Sequence, residues 1–153
     1  MKKSLRTGIS FGLTSAVITT VGLMVGLYAG TNSKTIVLSG ILIIAIADAF
    51  SDALGIHLAE ECKDGSIHKE VWLSTLFTFL SKFIFTLSFV VPLLIFPIQT
   101  AIVVSIIWGF FLLSALSFAI AKDKSECPFR IISEHIIIAA LVITATFYIG
   151  KWT

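Results

Sequence analysis

Long apolar segments alternate with short polar segments along the whole chain. A helix needs roughly 20 residues to cross hydrocarbon about 30 Å thick, at about 1.5 Å of rise per residue. Five segments are long enough, at about 8–29, 36–59, 72–95, 98–121 and 131–150. The pattern predicts an all-α integral membrane bundle of five transmembrane helices, organised as a single domain over residues 1–153.

Prolines and the first residues of the chain refine the ends of these segments. Pro92 and Pro97 predict the end of the third helix, because proline lacks a backbone N–H and clashes with the preceding turn. Met1-Lys2-Lys3 is similar to the start of a secretory signal. The apolar segment that follows is too long for a signal and lacks a small-residue cleavage motif, so we expect it to remain as the first helix.

Composition supports a membrane protein and excludes several other classes. The chain is 57% hydrophobic and 13% charged, with a mean hydropathy of +1.03, which lies outside the range of soluble domains. A net charge of +2 provides no basic surface for nucleic acid. Two cysteines, Cys62 and Cys127, are too few for a disulfide framework. Because no hydrolytic or redox constellation is visible, we expect neither an enzyme nor a permanently bound cofactor.

Basic residues are distributed unevenly between the two ends of the predicted bundle. With the N-terminus inside, eight of them lie on the cytoplasmic side: Lys2, Lys3, Arg6, Lys63, Lys69, Lys122, Lys124 and Arg130. Only Lys34 and Lys151 lie on the outer side. By the positive-inside rule, the N-terminus is cytoplasmic and the C-terminus lies outside.

Two aspartates interrupt the second apolar segment. Asp48 lies near its middle and Asp52 one turn closer to the cytoplasm, so both project from one side of the helix. Their side carries mostly small or polar residues, namely Ile41, Ala45, Ser51, Gly55 and Ala59. The opposite side is bulky, with Leu42, Ile43, Ile46, Phe50 and Leu54. Since ionisable groups are costly in hydrocarbon, we expect both aspartates to face the bundle interior and to mark a functional site.

The first helix offers a stripe of small residues to its neighbours. Gly8, Gly12, Ser15, Thr19, Gly22, Gly26 and Gly30 fall on one side of a helical wheel. One interpretation is close helix packing of the small-xxx-small type. The other is that Ser15 and Thr19 help to line a polar pathway.

The third helix carries Lys82 at nearly the depth of Asp48, with Thr75, Thr78 and Thr86 on its face. An aspartate–lysine pair is the least costly way to hold either charge in a bilayer, so a structural ion pair is one interpretation. Two carboxylates against one ammonium, however, leave one negative charge to be neutralised by a proton or a bound cation. The other interpretation is therefore an ion or proton pathway.

Further acidic residues lie at the cytoplasmic ends of the predicted helices. Glu60 and Glu61 begin a charged connection and are able to attract divalent cations, as charged rings do at channel mouths. An ordinary solvated loop is the alternative. Glu134 lies roughly 10 Å from the midplane by helix rise, and Arg130 four residues earlier favours a local salt bridge.

Four stretches of the chain also resemble segments of a known transporter family. GLTSAVITT at 12–20, ADAFSDALG at 47–55, VPLL at 91–94 and ITATFYIGK at 143–151 resemble the vacuolar iron transporter family of Fe²⁺/Mn²⁺ transporters. The resemblance extends over nearly the whole chain and implies five helices with the N-terminus inside. It also implies a homodimer with the ion path between subunits, exchange of metal for protons, and a plasma-membrane protein of a prokaryote. By this resemblance, Gly8, Gly12, Gly22, Gly26 and Gly30 form the dimer face.

The chain also departs from the family pattern. Ser15 stands where the family usually has an aspartate, Asp52 where it has a methionine, and Ile56 where a glutamate follows glycine. Residues 60–70 are too few for the metal-binding domain that plant and fungal members insert. The acidic function would therefore have moved to Asp48 and Asp52, whose oxygens suit Mn²⁺, Mg²⁺ or Ca²⁺ as well as Fe²⁺.

The leading hypothesis is a proton-coupled divalent-cation transporter, with Fe²⁺ or Mn²⁺ as the transported metal. Asp48 and Asp52 are the central metal ligands and Lys82 is their counter-ion. Neutral oxygens come from Ser15 and Thr19, and the cytoplasmic mouth consists of Glu60, Glu61 and Glu134. Two alternatives stay open: a non-transporting membrane scaffold or subunit that has lost the metal site, and a proton-coupled transporter of a small organic solute.

Overall fold

The protein folds as a bundle of long helices. The structure is a computed structural model that describes residues 2–124 and 127–153. These residues form six helices: α1 (Lys2–Thr31), α2 (Lys34–Glu61), α3 (His68–Ser88), α4 (Val90–Ile95), α5 (Ile98–Lys124) and α6 (Pro128–Trp152). With α3 and α4 taken as one span, five helical segments of the described chain are long and apolar enough to cross a membrane. The predicted all-α membrane bundle is confirmed.

Every span extends beyond its predicted apolar segment at one or both ends, because polar residues continue the helix outside the hydrocarbon. α1 and α2 are joined by a tight turn, in which Asn32 has a left-handed φ of 47°. Ser33 then caps α2, and its side chain accepts a hydrogen bond from the Ile36 N–H. At the other end of the chain, Pro128 occupies the first turn of α6, where no backbone donor is needed.

The third span breaks earlier than predicted. α3 ends at Ser88, and Phe89 joins it to the short helix α4. The break precedes Pro92 because a proline cannot donate to the carbonyl four residues earlier and its ring crowds that carbonyl. α4 ends at Ile95, and Phe96 adopts the extended backbone favoured before Pro97.

α1 is the central helix of the bundle. More than half of its membrane-spanning part is buried, against 6% for α6. α3 and α2 pack on one side of α1, and α6 and α5 pack on the other. Leu13, Val17, Val21 and Met24 of α1 therefore lie in the apolar core.

The glycines of α1 serve contacts within the chain. A Cβ on Gly8 would lie 2.7 Å from the Ser74 carbonyl oxygen of α3, and one on Gly30 would lie 2.8 Å from the Gly150 carbonyl oxygen of α6. Gly12 also meets α3, while Gly22 and Gly26 also meet α6. Helices of the same subunit bury Gly8, Gly12 and Gly22 and partly bury Gly26, whereas Gly30 stays exposed, so the assignment of Gly8, Gly12, Gly22, Gly26 and Gly30 to one dimer face is wrong for most of its members.

The two ends of the bundle differ in charge. Arg6 of α1 forms a salt bridge with Asp123 of α5, so the start of α1 and the end of α5 lie together. We call this the cytoplasmic end, following the charge asymmetry. At the opposite end, the Lys34 ammonium donates to the Phe96 carbonyl oxygen at 3.1 Å. Ser125 and Glu126 of the predicted 122–130 connection lie outside the described residues.

Candidate functional site

A fully buried lysine connects α1, α2 and α3. The side chain of Lys82 has no exposed surface, and its Nζ lies 2.5 Å from Asp48 Oδ2 and 2.6 Å from Asp52 Oδ2. Nζ also donates to Ser15 Oγ at 2.6 Å. An ammonium has three N–H donors, and here each of them has an acceptor. We call these four residues the Lys82 centre.

Helix geometry explains why these residues meet. Asp48 and Asp52 are one turn apart on α2 and reach the same nitrogen. On the other side, Gly12 lets α1 approach α3 closely, since a Cβ there would clash with the Ser81 side chain and lie 2.7 Å from the Thr78 carbonyl oxygen. Ser15, nearly one turn further along α1, is thereby brought within hydrogen-bond distance of Lys82.

The two carboxylates are less buried than the lysine between them. The Asp48 side chain is 30% exposed and the Asp52 side chain 18%, whereas Lys82 is completely enclosed. With both aspartates ionised the centre carries one net negative charge, in a medium where charges attract strongly. The arrangement therefore holds one cation internally and presents carboxylate oxygens at its open edge.

The inward side of α2 agrees with the prediction in part. Ile41 and Ala45 are buried. The bulky side is exposed as predicted, with Leu42, Ile43, Ile46, Phe50 and Leu54 all between 45% and 65% accessible. Ser51, Gly55 and Ala59, however, are exposed rather than inward-facing.

The buried line of α2 runs instead through Val37, Ile41, Ala45, Ala49 and Ala53. Sequence reasoning missed Ala49 and Ala53. A spacing of four residues follows one ridge of the helix surface, and it drifts away from a straight helical-wheel face over several turns. Alanine recurs at every fourth position, at Ala45, Ala49 and Ala53, and this pattern in the sequence could have indicated the buried line.

Two predicted site residues lie apart from the Lys82 centre. The Thr19 hydroxyl donates to the backbone carbonyl oxygen of Ser15 at 2.8 Å, and within the described chain no hydrogen bond joins it to the side chains of Lys82, Asp48 or Asp52. Glu134 forms the expected helical pair with Arg130, with 3.1 Å between Oε1 and Nε. It is exposed on α6, which packs on α1 and α5 rather than on α2 or α3.

The cytoplasmic glutamates occupy a separate region. Glu60 is paired with Lys63, with 2.5 Å between Oε1 and Nζ, and lines a polar cavity of about 180 Å³ between the start of α1 and the α2–α3 connection. Thr7 and Glu70 line the same cavity. Glu61 is exposed, with its Oε2 3.9 Å from His57 Nε2. This cavity lies two helical turns from Asp52 along α2.

A buried seam of hydroxyl groups along α1 and α3 flanks the centre. The Ser81 hydroxyl donates to the Gly8 carbonyl oxygen at 3.2 Å, and the Ser74 hydroxyl to the Ser4 carbonyl oxygen at 3.4 Å. Beyond Lys82, the hydroxyls of Thr20 and Thr86 are 3.4 Å apart. Ser74, Ser81 and Thr20 were missed from sequence, because only the helix crossing shows that they face each other. Donation to backbone carbonyls joins the two helices.

The donor set of the centre is small for a metal ion. Within the part of the chain that the structure describes, no three His, Cys, Asp or Glu side chains are grouped closely enough to hold a metal together. Two carboxylates and one hydroxyl are three ligand groups with five oxygen atoms at most, whereas hard divalent cations take six or more oxygen ligands. Water or groups from outside this chain would complete the shell.

Comparison with known proteins assigns no family. No family model matches the chain, and no curated protein matches it.

Proposed function

We propose that this protein is a divalent-cation transporter, with Fe²⁺ or Mn²⁺ as substrate and protons as the exchanged ions, in the plasma membrane of a prokaryote. The observation that carries the proposal is the Lys82 centre. The Lys82 ammonium, within a membrane-spanning helix, is held by two carboxylates that keep 30% and 18% of their side-chain surface exposed. The resemblance at residues 12–20, 47–55, 91–94 and 143–151 points to the same class of substrate.

The centre suits a transported ion better than a permanently bound one. Asp48, Asp52 and Ser15 supply hard oxygen donors, which divalent first-row metals and alkaline-earth ions accept. In the absence of metal, the Lys82 ammonium occupies the position between the carboxylates. An arriving divalent cation competes with this tethered ammonium, so binding is weakened enough for release.

The cytoplasmic approach is proposed to begin at the polar cavity beside Glu60, with Glu61 on the exposed surface nearby. Ile56 lies on α2 between Asp52 and Glu60, where the resembling family carries a glutamate. An apolar side chain at this position separates the cavity from the centre. Passage would therefore require α2 to move relative to α1 and α3.

We further propose a homodimer that uses α2 rather than the glycines of α1. Ala47, Ser51 and Gly55 form an exposed strip of small residues beside Asp48, whose side chain is 30% exposed, and a Cβ on Gly55 would meet nothing within 4 Å. A second copy placed here would cover Asp48 from lipid and bring further oxygen donors to it. Disulfide cross-linking of Gly55→Cys, in a background with Cys62→Ser and Cys127→Ser, should yield a covalent dimer. Cysteine placed at Leu141 on exposed α6 should remain monomeric.

Metal uptake into proteoliposomes under an imposed pH gradient tests the transport proposal. The double variant Asp48→Asn with Asp52→Asn should lose uptake of Mn²⁺ and Fe²⁺, because two amides offer no negative charge to a divalent cation. Asp123→Asn is the matched control. It removes a carboxylate from a salt bridge outside the centre and should transport as the parent does.

Uptake by the double variant equal to the parent's would show that the two aspartates are not the metal ligands. Uptake that ignores the pH gradient in the parent protein would refute the exchange with protons.

The alternative function is a non-transporting membrane scaffold or subunit. The observation that favours it is the saturation of Lys82, because a lysine with all three donors satisfied is also a good structural tie between helices. Thermal unfolding in detergent across Mn²⁺, Fe²⁺, Zn²⁺ and Mg²⁺ distinguishes the two functions. A transporter should be stabilised by its substrate, whereas a scaffold should unfold at the same temperature with every ion.

A further inference from the structure

A groove of about 390 Å³ opens between α2 and α3 on the lipid-facing surface. Its floor is Ala53, which is only 5% exposed, and its walls include Phe50 of α2 and Leu76 of α3, which are 62% and 50% exposed. Because the side chain of Ala53 is small whereas those of Phe50 and Leu76 are large, an elongated depression stays unfilled between α2 and α3.

The groove spans about two thirds of one bilayer leaflet. It runs from the level of Phe50 and Phe79 to that of His57 and Trp72, which are seven residues nearer the cytoplasmic end on each helix. Seven residues of helix cover about 10 Å, against about 15 Å for half of the hydrocarbon thickness.

The Thr75 hydroxyl and His57 Nδ1 beside the groove are hydrogen-bonded within the protein. The Thr75 hydroxyl donates to the Val71 carbonyl oxygen at 2.8 Å, so its oxygen accepts from His57 Nδ1 at 2.9 Å. Trp72 packs its ring against His57 with centroids 4.7 Å apart. The groove is therefore apolar despite a histidine and a threonine in its wall, and it suits an alkyl chain better than a polar ligand.

The cytoplasmic rim of the groove offers hydrogen-bond donors and charges of both signs, because Glu61 lies 3.9 Å from His57 Nε2 on α2 and Lys69 is exposed on α3. Trp72 Nε1–H donates to His68 Nε2 at 3.0 Å, so the proton of neutral His68 resides on Nδ1. No hydrogen-bond acceptor for Nδ1 is found in the described chain. Lys69 is exposed and lies three residues before Trp72, on the same side of the helix. Tryptophan with neighbouring basic residues is typical of the level of lipid headgroups.

We propose that the α2–α3 groove binds a glycerophospholipid of the cytoplasmic leaflet, with one acyl chain along Ala53 and the phosphate at His68 and Lys69. The position of the groove within two membrane-spanning helices and the donors of His68 and Lys69 at its α3 rim select this ligand. Phe50 and Asp48 lie about 160° apart around α2, so the site is separate from the Lys82 centre, whereas Leu54 of the groove borders the proposed dimer strip. The proposal does not depend on transport.

Quenching of tryptophan fluorescence by brominated acyl chains tests the site in detergent. A variant with Trp108→Phe and Trp152→Phe keeps only Trp72 and is titrated with phosphatidylglycerol carrying brominated chains. We expect quenching that saturates at one lipid per chain. The control keeps only Trp152, which is 89% exposed at the end of α6, and should be quenched only in proportion to the lipid content of the micelle. Equal behaviour of the two tryptophans would overturn the proposal.

Two further variants separate the chain site from the phosphate site. In the unmodified tryptophan background, native mass spectrometry should show that Ala53→Leu reduces retention of added phosphatidylglycerol, because leucine fills the floor. Unchanged retention would refute the groove as the site. The double variant His68→Gln with Lys69→Gln should weaken the binding of phosphatidylglycerol about fivefold, which is the effect expected for one basic residue near a lipid surface. Its binding of brominated diacylglycerol, which has no phosphate, should equal that of the parent protein. Equal losses for both lipids would refute the phosphate contact, and Lys151→Gln should change neither.

A second copy of the chain is the competing occupant. Light scattering on the same samples would then show dimers in which Trp72 is shielded from brominated lipid, and that result would also overturn the proposal.

Discussion

At the Lys82 centre one ammonium serves two carboxylates and a hydroxyl, so the effect of a substitution depends on which charge it leaves without a partner. Removing either aspartate leaves a balanced pair. Removing the lysine leaves two carboxylates one turn apart on a membrane helix with no counter-ion. The three charged positions are therefore not equivalent, although they form one cluster.

Lys82→Met should both destabilise the protein and tighten its binding of metal. Without metal, the unpaired carboxylates should cost about 3–5 kcal/mol of unfolding free energy, as in other buried pairs that lose one partner. A divalent cation no longer competes with a tethered ammonium, so its Kd should fall. Isothermal titration with Mn²⁺ and thermal unfolding with and without the ion measure the two effects.

Lys151→Met is the control for this substitution, since Lys151 is an exposed lysine near the C-terminus and is not part of the Lys82 centre. It should change neither quantity. Metal affinity that is unchanged or weaker in Lys82→Met would make Lys82 a structural partner of the aspartates rather than an occupant of a cation site.

At the scale of helices, the centre depends on how closely α1 and α3 approach. Gly8 and Gly12 remove the side chains that would hold the two backbones apart, and the hydroxyls of Ser74 and Ser81 then reach carbonyls of α1. Ser15 can reach Lys82 only at this separation. A small uncharged residue, Gly12, which packs against the backbone of Lys82, thus controls the geometry of the ion pair.

Gly12→Ala should therefore lower the unfolding free energy by about 1–3 kcal/mol, the usual cost of overpacking, because its Cβ would clash with Ser81. Gly55→Ala is the matched control on α2. Its Cβ would meet nothing within 4 Å, and alanine favours a helix more than glycine does, so the stability of the subunit should be unchanged or slightly raised. Thermal unfolding in detergent compares them, and equal stability of the two variants would contradict the close packing of α1 on α3.

At the scale of the whole molecule, the charge asymmetry predicts the orientation of the bundle, and the two native cysteines provide a test. Cys62 and Cys127 are both exposed and lie at the cytoplasmic end. A membrane-impermeant maleimide should label neither of them in intact cells and both after permeabilisation. Thr153→Cys, in a background without the native cysteines, should be labelled from outside. Labelling of Cys62 in intact cells would reverse the predicted orientation.

Much of this architecture is predictable from local pattern. Hydropathy summed over about 20 residues identifies a span whatever surrounds it, and the five spans agree with the structure. The inward direction of Asp48 and Asp52 was predictable as well, because charge avoids lipid and the bulky side of α2 was already evident. The break at Phe89 was harder to predict, since the prolines indicate that the helix is disrupted but not the turn at which it breaks.

Some features required contacts between distant segments. The small residues of α1 form one stripe on a helical wheel. In the structure, however, Gly8 and Gly12 contact α3, whereas the glycines from Gly22 onward contact α6, because the two neighbouring helices cross α1 at different heights. Ser15 and Thr19 look equivalent on the wheel, and only the first reaches Lys82. The same crossing moves the contact line of α2 onto Ala49 and Ala53 and leaves Ser51 and Gly55 exposed.

The sequence by itself determined the number of spans, their charge asymmetry and the presence of ionisable groups at mid-bilayer, because these properties depend on composition along a single helix. Tertiary structure decided which stripes of small residues are already covered within the subunit, which hydroxyl is the third hydrogen-bond acceptor of Lys82, and where grooves remain at the lipid-facing surface. These depend on the rotation and crossing of helices, which arise from packing between segments far apart in the chain.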